Sequence, residues 1–445
     1  MHNFLDDLRF DGIRKRDKNV LLASATPHEE EEIAYIRECY EKGWITTFGD
    51  NIDAIEQDIA AYMSKNGNQK YAVALNSGTA AIHMAIKLAA EKIYGSSSGV
   101  SSPDGKRLTG SLYGKKVFVA DMTFNATVNP LLYEGGEPVF IDSEYETWNM
   151  DPVALKKAFE IYPDVKLVIL VHLYGVQGKI EECKKICDRH GAILIEDAAE
   201  SLGANVTFEN GNIVPSGGIG DYSCISMNGN KILTGSSGGI LICPDEYSYE
   251  KAKKWSTQAK EAVPWYEHRE LGYNYRISNI IAGIIRGQWP HLNDHIEGKK
   301  RVFDRYRRSL NDLPVTVHGG GNYWLTTILI DEDAMEPFYT DNRSYLYKIE
   351  NGKSCPGEIL EALNTFQANG RPIWKPMHLQ PLYHGMDFVS KYGKTKEKEV
   401  LYTDNDERQS VSTDIFVRGL CLPSDNKMTE EEQDVVIDII QRCFR

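Results

Sequence analysis

Between residues 70 and 243 the chain alternates short β-branched runs with helical periodicity, and this alternation limits the possible folds most tightly. "YAVAL" (71–75), "KVFVA" (116–120), "PVFID" (138–142), "KLVILVHL" (166–173), "AILIED" (192–197), "YSCISM" (222–227) and "GGILIC" (238–243) are apolar nearly throughout. Runs of this kind belong to strands buried on both faces. Among them, "TAAIHMAIKLAAEKI" (79–93) puts Ile82, Ile86, Ala89 and Ile93 on one helical stripe, and "IEECKKICDRHG" reads as a helix ended by Gly191. The pattern predicts an α/β fold whose large domain holds a mostly parallel seven-stranded sheet flanked by helices. Beyond 245 the alternation fades into a helix, "NIIAGIIRGQW" (279–289), short strands and a closing helix, "TEEEQDVVIDIIQRC". A chain of 445 residues is too long for one ordinary core. The expected division is a large domain over 1–285, including an N-terminal segment 1–60, and a smaller C-terminal α+β domain over 286–445. A Ser/Gly-rich stretch, 94–114, reads as a mobile surface insertion, and a second insertion lies near 331–355.

Charge and cysteine usage exclude several roles. A formal net charge of −14 argues against nucleic-acid and anionic-membrane partners. The eight cysteines form no C-x-x-C pair and read as reduced thiols of a cytoplasmic protein. "MHNFLDDLRF" lacks the order of a signal peptide, and "VKLVILVHLYGV" is too short and too polar to span a bilayer.

Against this background "SMNGNKILTGSSGG" (226–239) raises a question, because it sets Lys231 in a small, polar turn between two buried runs. A lysine partly desolvated in such a turn is a nucleophile toward aldehydes, although a solvated loop lysine is the ordinary reading. Three other features accompany it. Asp197, in "EDAAESLGA", falls at a strand's C-terminal end, where ligands bind in open α/β sheets. It reads as a helix N-cap or as the carboxylate that keeps a pyridine nitrogen protonated, as pyridoxal phosphate requires. "NSGTAA" (76–81) presents Ser77, Gly78 and Thr79 at a helix N-terminus, as a phosphate cradle or a plain strand-to-helix turn. Phe124, in "DMTFNATVN", follows another strand and reads as core or as a ring that stacks on a flat cofactor. The coincidence of all four at strand ends carries the inference of pyridoxal phosphate chemistry.

Eight segments together resemble the DegT/DnrJ/EryC/StrS sugar aminotransferases, which are fold-type I pyridoxal-phosphate enzymes. They are "NSGTAAIHMAIKL", "DMTFNATVNPLLYEGGEPVFID", "VHLYG", "IEDAAESLGA", "GGIGDYSCISMNGNKILTGSSGGIL", "LGYNYRISNIIAGIIRGQW", "RPIWKPMHLQPLY" and "GLCLPSDNKMTEEEQDVV". The resemblance implies that Lys231 is the Schiff-base lysine, Asp197 the ring-nitrogen partner and Glu200 the neighbour of the ring hydroxyl. It implies phosphate ligands at Gly78, Thr79 and Ser226, ring stacking by Phe124, and an Asn274 that reaches a partner subunit's cofactor in a homodimer with shared active sites. Lys375 and His378 are candidate sugar contacts. The implied reaction moves an amino group from L-glutamate to carbon 4 of a nucleotide-linked 4-keto-6-deoxy sugar, a UDP-4-keto-6-deoxy-N-acetylhexosamine, for bacterial surface-glycan biosynthesis. Lys231 argues against the dehydratase branch, which has His there. The sequence departs from the family at Gly49-Asp50, where Gly-Pro is common, and at "TGSSGG".

Three rival readings remain. "GSSGG" around Ser237 and "HGGG" (318–321) match serine-hydrolase motifs, but Ser237 precedes a strand instead of following one. His291 and His295 stand four apart with no third ligand near them in sequence, so they read as exposed helix histidines and no metal is expected. A regulatory or sugar-sensing protein that binds the cofactor on the same fold is the alternative to an enzyme.

Overall fold

The computed structural model describes residues 3–64, 67–95, 110–339, 345–395 and 410–445. Most of the 94–114 insertion and residues 340–344 of the second one lie outside the described residues. All seven expected strands form: β1 (Tyr71–Leu75), β2 (Lys116–Ala120), β3 (Glu137–Ile141), β4 (Leu167–Val171), β5 (Ile193–Asp197), β6 (Tyr222–Ser226) and β7 (Gly239–Cys243). Two further strands join the same sheet from the C-terminal half, β8 (Asp387–Ser390) and β9 (Gly393–Thr395). The order is β1-β7-β6-β5-β4-β2-β3-β8-β9. The run from β6 to β8 is parallel, whereas β7 pairs antiparallel with both β1 and β6. The C-terminal ends of β1 and β6 therefore share one sheet edge with those of β2, β4 and β5.

Alternate residues of each strand go to opposite faces, and both faces are covered. On one face α3 (Gly78–Tyr94), buried on nearly every side up to Ala90, packs on Val73, Val119, Ile169, Ile195, Cys224 and Leu241. On the other face, α2 (Asp50–Met63) and the helix Asn279–Gln288 cover Ile225, Ile240 and Ile242. The helices Pro152–Ile161 and Ile180–His190 cover Phe118, Val139, Val168 and Leu194. The departure at Gly49-Asp50 has a local reason. A Cβ on Gly49 would come 2.5 Å from the Asn279 amide, and Asp50 opens α2, where a carboxylate favours the helix dipole and pairs with Lys42 at 2.7 Å.

A second core gathers around an antiparallel sheet of Val315–His318, Thr327–Ile330, Gly419–Cys421 and Arg371–Pro372. Helices Leu292–Ser309, Pro356–Thr365 and Glu430–Cys443 bury Tyr306, Ile359 and Val436 in it, and Phe4, Phe10 and Val20 join them from the other end of the chain.

Candidate active site

At the common edge of β1, β5 and β6, the turns bring the expected residues together. The helix N-cap reading of Asp197 is not realised, because residues 198–203 form turns and no helix follows β5. Asp197 is 4 % exposed, and its Oδ1 accepts the Ala199 N–H at 3.1 Å while Oδ2 accepts the Thr127 hydroxyl at 2.6 Å. Burial raises its carboxyl above the ordinary range, and the Thr127 hydroxyl, the Ala199 N–H and the Lys231 charge pull it back. Glu200 is buried beside it, and its Oε2 accepts the Tyr174 N–H at 2.7 Å. Burial again raises this carboxyl, opposed first by Lys231. Lys231 Nζ lies 3.4 Å from Glu200 Oε1 and 4.0 Å from the centre of the Trp324 ring, a cation–π distance. The amine is thus fixed between a carboxylate and an indole face.

The phosphate candidates converge as well. Ser77 caps α3 by accepting the Ala80 N–H at 3.1 Å, so the free N–H groups of the first turn face this edge. A Cβ placed on Gly78 would come 3.0 Å from Ser226 Cβ. The gap between the α3 N-terminus and Ser226 is therefore open only because residue 78 is glycine. These N–H groups, the Thr79 and Ser226 hydroxyls and the dipole of α3 fit a phosphate. Phe124, just past β2, is 65 % exposed. Asn274 is also exposed, and its backbone carbonyl accepts the Asn76 side-chain amide at 3.2 Å. Lys375 is exposed. His378 is 8 % exposed, with Nδ1 2.7 Å from Asp121 Oδ2 and its ring stacked on Phe388 at 4.1 Å.

Several residues that shape this site carry no recognisable mark in the sequence. Thr127 holds Asp197 from the short 3-10 turn Asn125–Thr127. Asn322 is fully buried and donates to the carbonyls of Glu200 and Leu202 at 2.8 and 2.9 Å, while its Oδ1 accepts the Trp324 N–H at 3.0 Å. Trp324 Nε1 donates to the Asn230 carbonyl at 2.7 Å, which clamps the lysine loop. His172, at the end of β4, accepts the Gly178 N–H on Nδ1 at 3.2 Å. Its proton is therefore on Nε2, 2.9 Å from the buried Glu196 carboxylate. Only "VHLYG" marked this last position.

Packing accounts for the serine-hydrolase motif. A Cβ at Gly235 would come 2.7 Å from Ile281, and one at Gly239 would come 2.3 Å from the Ser77 carbonyl carbon. Gly235 lets the loop pass the helix Asn279–Gln288, and Gly239 lets the strand pass the α3 entry turn. Ser237 lies on the approach to β7 and not on a strand-to-helix elbow.

Comparison with known proteins agrees with this geometry. The family profile described as the DegT/DnrJ/EryC1/StrS aminotransferase family matches residues 27–441. A candidate pyridoxal phosphate-dependent aminotransferase, EpsN of Bacillus subtilis strain 168, is 37 % identical over 422 residues, covering 92 % of each chain. A GDP-perosamine synthase of Vibrio cholerae is 29 % identical over 79 % of this chain and 84 % of its own. PseC of Helicobacter pylori, an aminotransferase of pseudoaminic acid biosynthesis, shares the fold with a TM-score of 0.72 at 19 % identity, over 96 % of this chain and 99 % of its own. Its fold, its site and its match along nearly the whole sequence place this chain in the DegT/DnrJ/EryC1/StrS aminotransferase family.

Proposed function

We propose that this chain transfers an amino group from L-glutamate to carbon 4 of a nucleotide-linked 4-keto-6-deoxy sugar, a UDP-4-keto-6-deoxy-N-acetylhexosamine, in bacterial surface-glycan biosynthesis. As a member of its family the chain is a pyridoxal-phosphate-dependent sugar aminotransferase of nucleotide-sugar biosynthesis. The choice of sugar is supported by "SMNGNK", which resembles the subgroup acting on such keto sugars. The observation that carries the reading is the placement of Lys231 Nζ between Glu200 and Trp324, within the electrostatic reach of buried Asp197.

When bound, pyridoxal phosphate supplies the electron sink for the charge left on a substrate carbon that has lost its proton. Gly78, Thr79 and Ser226 would hold its phosphate, Phe124 would cover one ring face and Asp197 would keep its ring nitrogen protonated. Glu200 would lie beside its ring hydroxyl. In one half-reaction the Lys231 amine would remove the α-proton of the amino donor, and in the other, acting in the reverse sense, it would deliver a proton to carbon 4 of the sugar. Trp324, 2 % exposed, shields that amine from water.

A homodimer fits the same surface. Trp265, Tyr266 and Leu271 are 63, 81 and 52 % exposed near Asn274, and Trp44, Ile45 and Phe48 are exposed on a loop whose Trp44 carbonyl accepts the Asn279 amide. A second copy would cover this apolar rim and receive Asn274. Among the described residues no helix is long and apolar enough to cross a membrane, and all eight cysteines are buried and free. We place the enzyme in the cytoplasm.

The test is incubation with 15N-glutamate and a panel of UDP-, GDP- and TDP-linked 3-keto and 4-keto sugars. The expected product is the UDP-linked 4-amino sugar carrying 15N, formed in step with 2-oxoglutarate. A clear preference for another nucleotide or for a 3-keto sugar would overturn the substrate assignment, and no 15N transfer to any of them would overturn the reaction.

A further inference from the structure

His291 and His295 gain partners that the sequence keeps far away. The chain enters α1 (Glu29–Lys42) through His28, and this entry lies against the start of the helix Leu292–Ser309. The His28 ring stacks on His291, with centroids 3.5 Å apart and planes within 5°. His28 Nε2 is 2.9 Å from His295 Nε2, and Glu31 Oε1 is 3.5 Å from His291 Nε2. One potential ligand atom from each of His28, Glu31 and His291 lies within 4.8 Å of the others. The expectation of two exposed helix histidines therefore fails at His295, which is only 2 % exposed because His28 and the lysine loop pack over it.

We propose that His28, Glu31, His291 and His295 form a binding site for one divalent transition-metal ion of the zinc class. The ligand set is three imidazoles and a carboxylate, which suits zinc and its neighbours better than calcium or magnesium. Metal–nitrogen and metal–oxygen bonds of about 2.1 Å in a tetrahedron separate the ligand atoms by about 3.4 Å. The spacings of 2.9 Å between His28 and His295 and 3.5 Å between Glu31 and His291 bracket that value, whereas the His28 and His291 rings lie parallel, so these rings must rotate to bring all four ligand atoms onto one ion. His295 is already oriented as a ligand. Its Nδ1 is 2.8 Å from the Ile232 carbonyl and must carry the proton, which leaves the Nε2 lone pair pointing at His28. An imidazole held through its far N–H by a backbone carbonyl is the usual outer-shell arrangement of a metal-binding histidine. His28, which donates from Nε2 to His295, would carry its proton on Nδ1 once the ion is bound. Exposed Glu31 gives the ion an entry path. The ion would tie the first turn of α1 to the helix Leu292–Ser309 and, through the His295–Ile232 bond, to the residue that follows Lys231. This tie stands apart from substrate choice.

The experiment uses tag-free holoenzyme dialysed against chelator and then titrated with zinc alone. The account expects uptake of about one zinc per chain and a rise in melting temperature. His291→Ala and Glu31→Gln should remove both effects while transaminase activity and the metal-free melting temperature stay unchanged. Cobalt(II) offers a readout on the unmutated protein, since a tetrahedral site gives it a strong visible absorption. Failure to bind zinc, equal uptake by the variants, or a cobalt spectrum no different from aqueous ion would overturn the proposal.

Discussion

Asp197 serves the proposed reaction only while ionised, yet its burial opposes the charge. The Thr127 hydroxyl, 2.6 Å away, helps to settle that conflict in favour of the carboxylate. Thr127→Val should therefore raise the Asp197 pKa further and move the acidic limb of the kcat/KM profile to higher pH. A lost hydrogen bond to a charged group corresponds to roughly one pH unit. A pH–rate profile checks this, and an unmoved acidic limb would show that Thr127 plays only a packing role. Lys231 and Asp197 were readable because their chemistry demands a particular residue type at a strand end. Thr127, Asn322 and Trp324 were not, since a hydroxyl, an amide and an indole have ordinary roles everywhere and their partners come from distant parts of the chain.

Strands buried on both faces are apolar throughout, and for that reason β1 to β7 were legible. The two added strands were not, because Asp387–Ser390 has only two apolar residues, Phe388 and Val389, and Gly393–Thr395 is short and polar. Their placement rests on tertiary contacts, notably the bonds of Lys116 and Tyr162 to Asp387 at 3.0 and 2.6 Å. The turn after Asp197 was also illegible, since an Ala-rich run suggests a helix until the chain must bend to leave room beside Lys231. One helix carries a pH signal. Asp142 accepts the Val411 and Ser412 N–H groups at 3.1 and 3.0 Å at the start of the helix Val411–Arg418. Burial, reinforced by Asp121, pushes its carboxyl from 3.8 up to about 6. The folded chain then holds this proton more tightly than the unfolded chain. Its stabilising contribution is complete below 3.8 and is lost as pH rises to about 6. Asp142→Asn should lack that decline, so the melting-temperature difference between variant and wild type should grow in the variant's favour across this window. Parallel melting curves at every pH would contradict the assignment.

At the scale of the whole molecule, the second core is built from both ends of the chain, as Phe4 and Phe10 pack with Phe366 and Phe444. No local pattern announces such a contact, so the large sheet could be read from the sequence but the docking of the N-terminus could not. The proposed sharing of sites between two copies has its own test. Mixing Lys231→Ala with Asn274→Ala subunits should restore about a quarter of wild-type activity, because half of the pairs are mixed and each mixed pair holds one intact site. No recovery after verified subunit exchange would confine each site to one chain. The central claim is that Lys231 is the residue that bonds the cofactor. Borohydride treatment of the purified holoenzyme, followed by peptide mapping, tests it most directly. The visible absorbance should bleach and the pyridoxyl group should be found on Lys231, while Lys231→Ala should show neither the label nor turnover. A pyridoxyl group on another lysine, or native turnover by Lys231→Ala, would contradict the account.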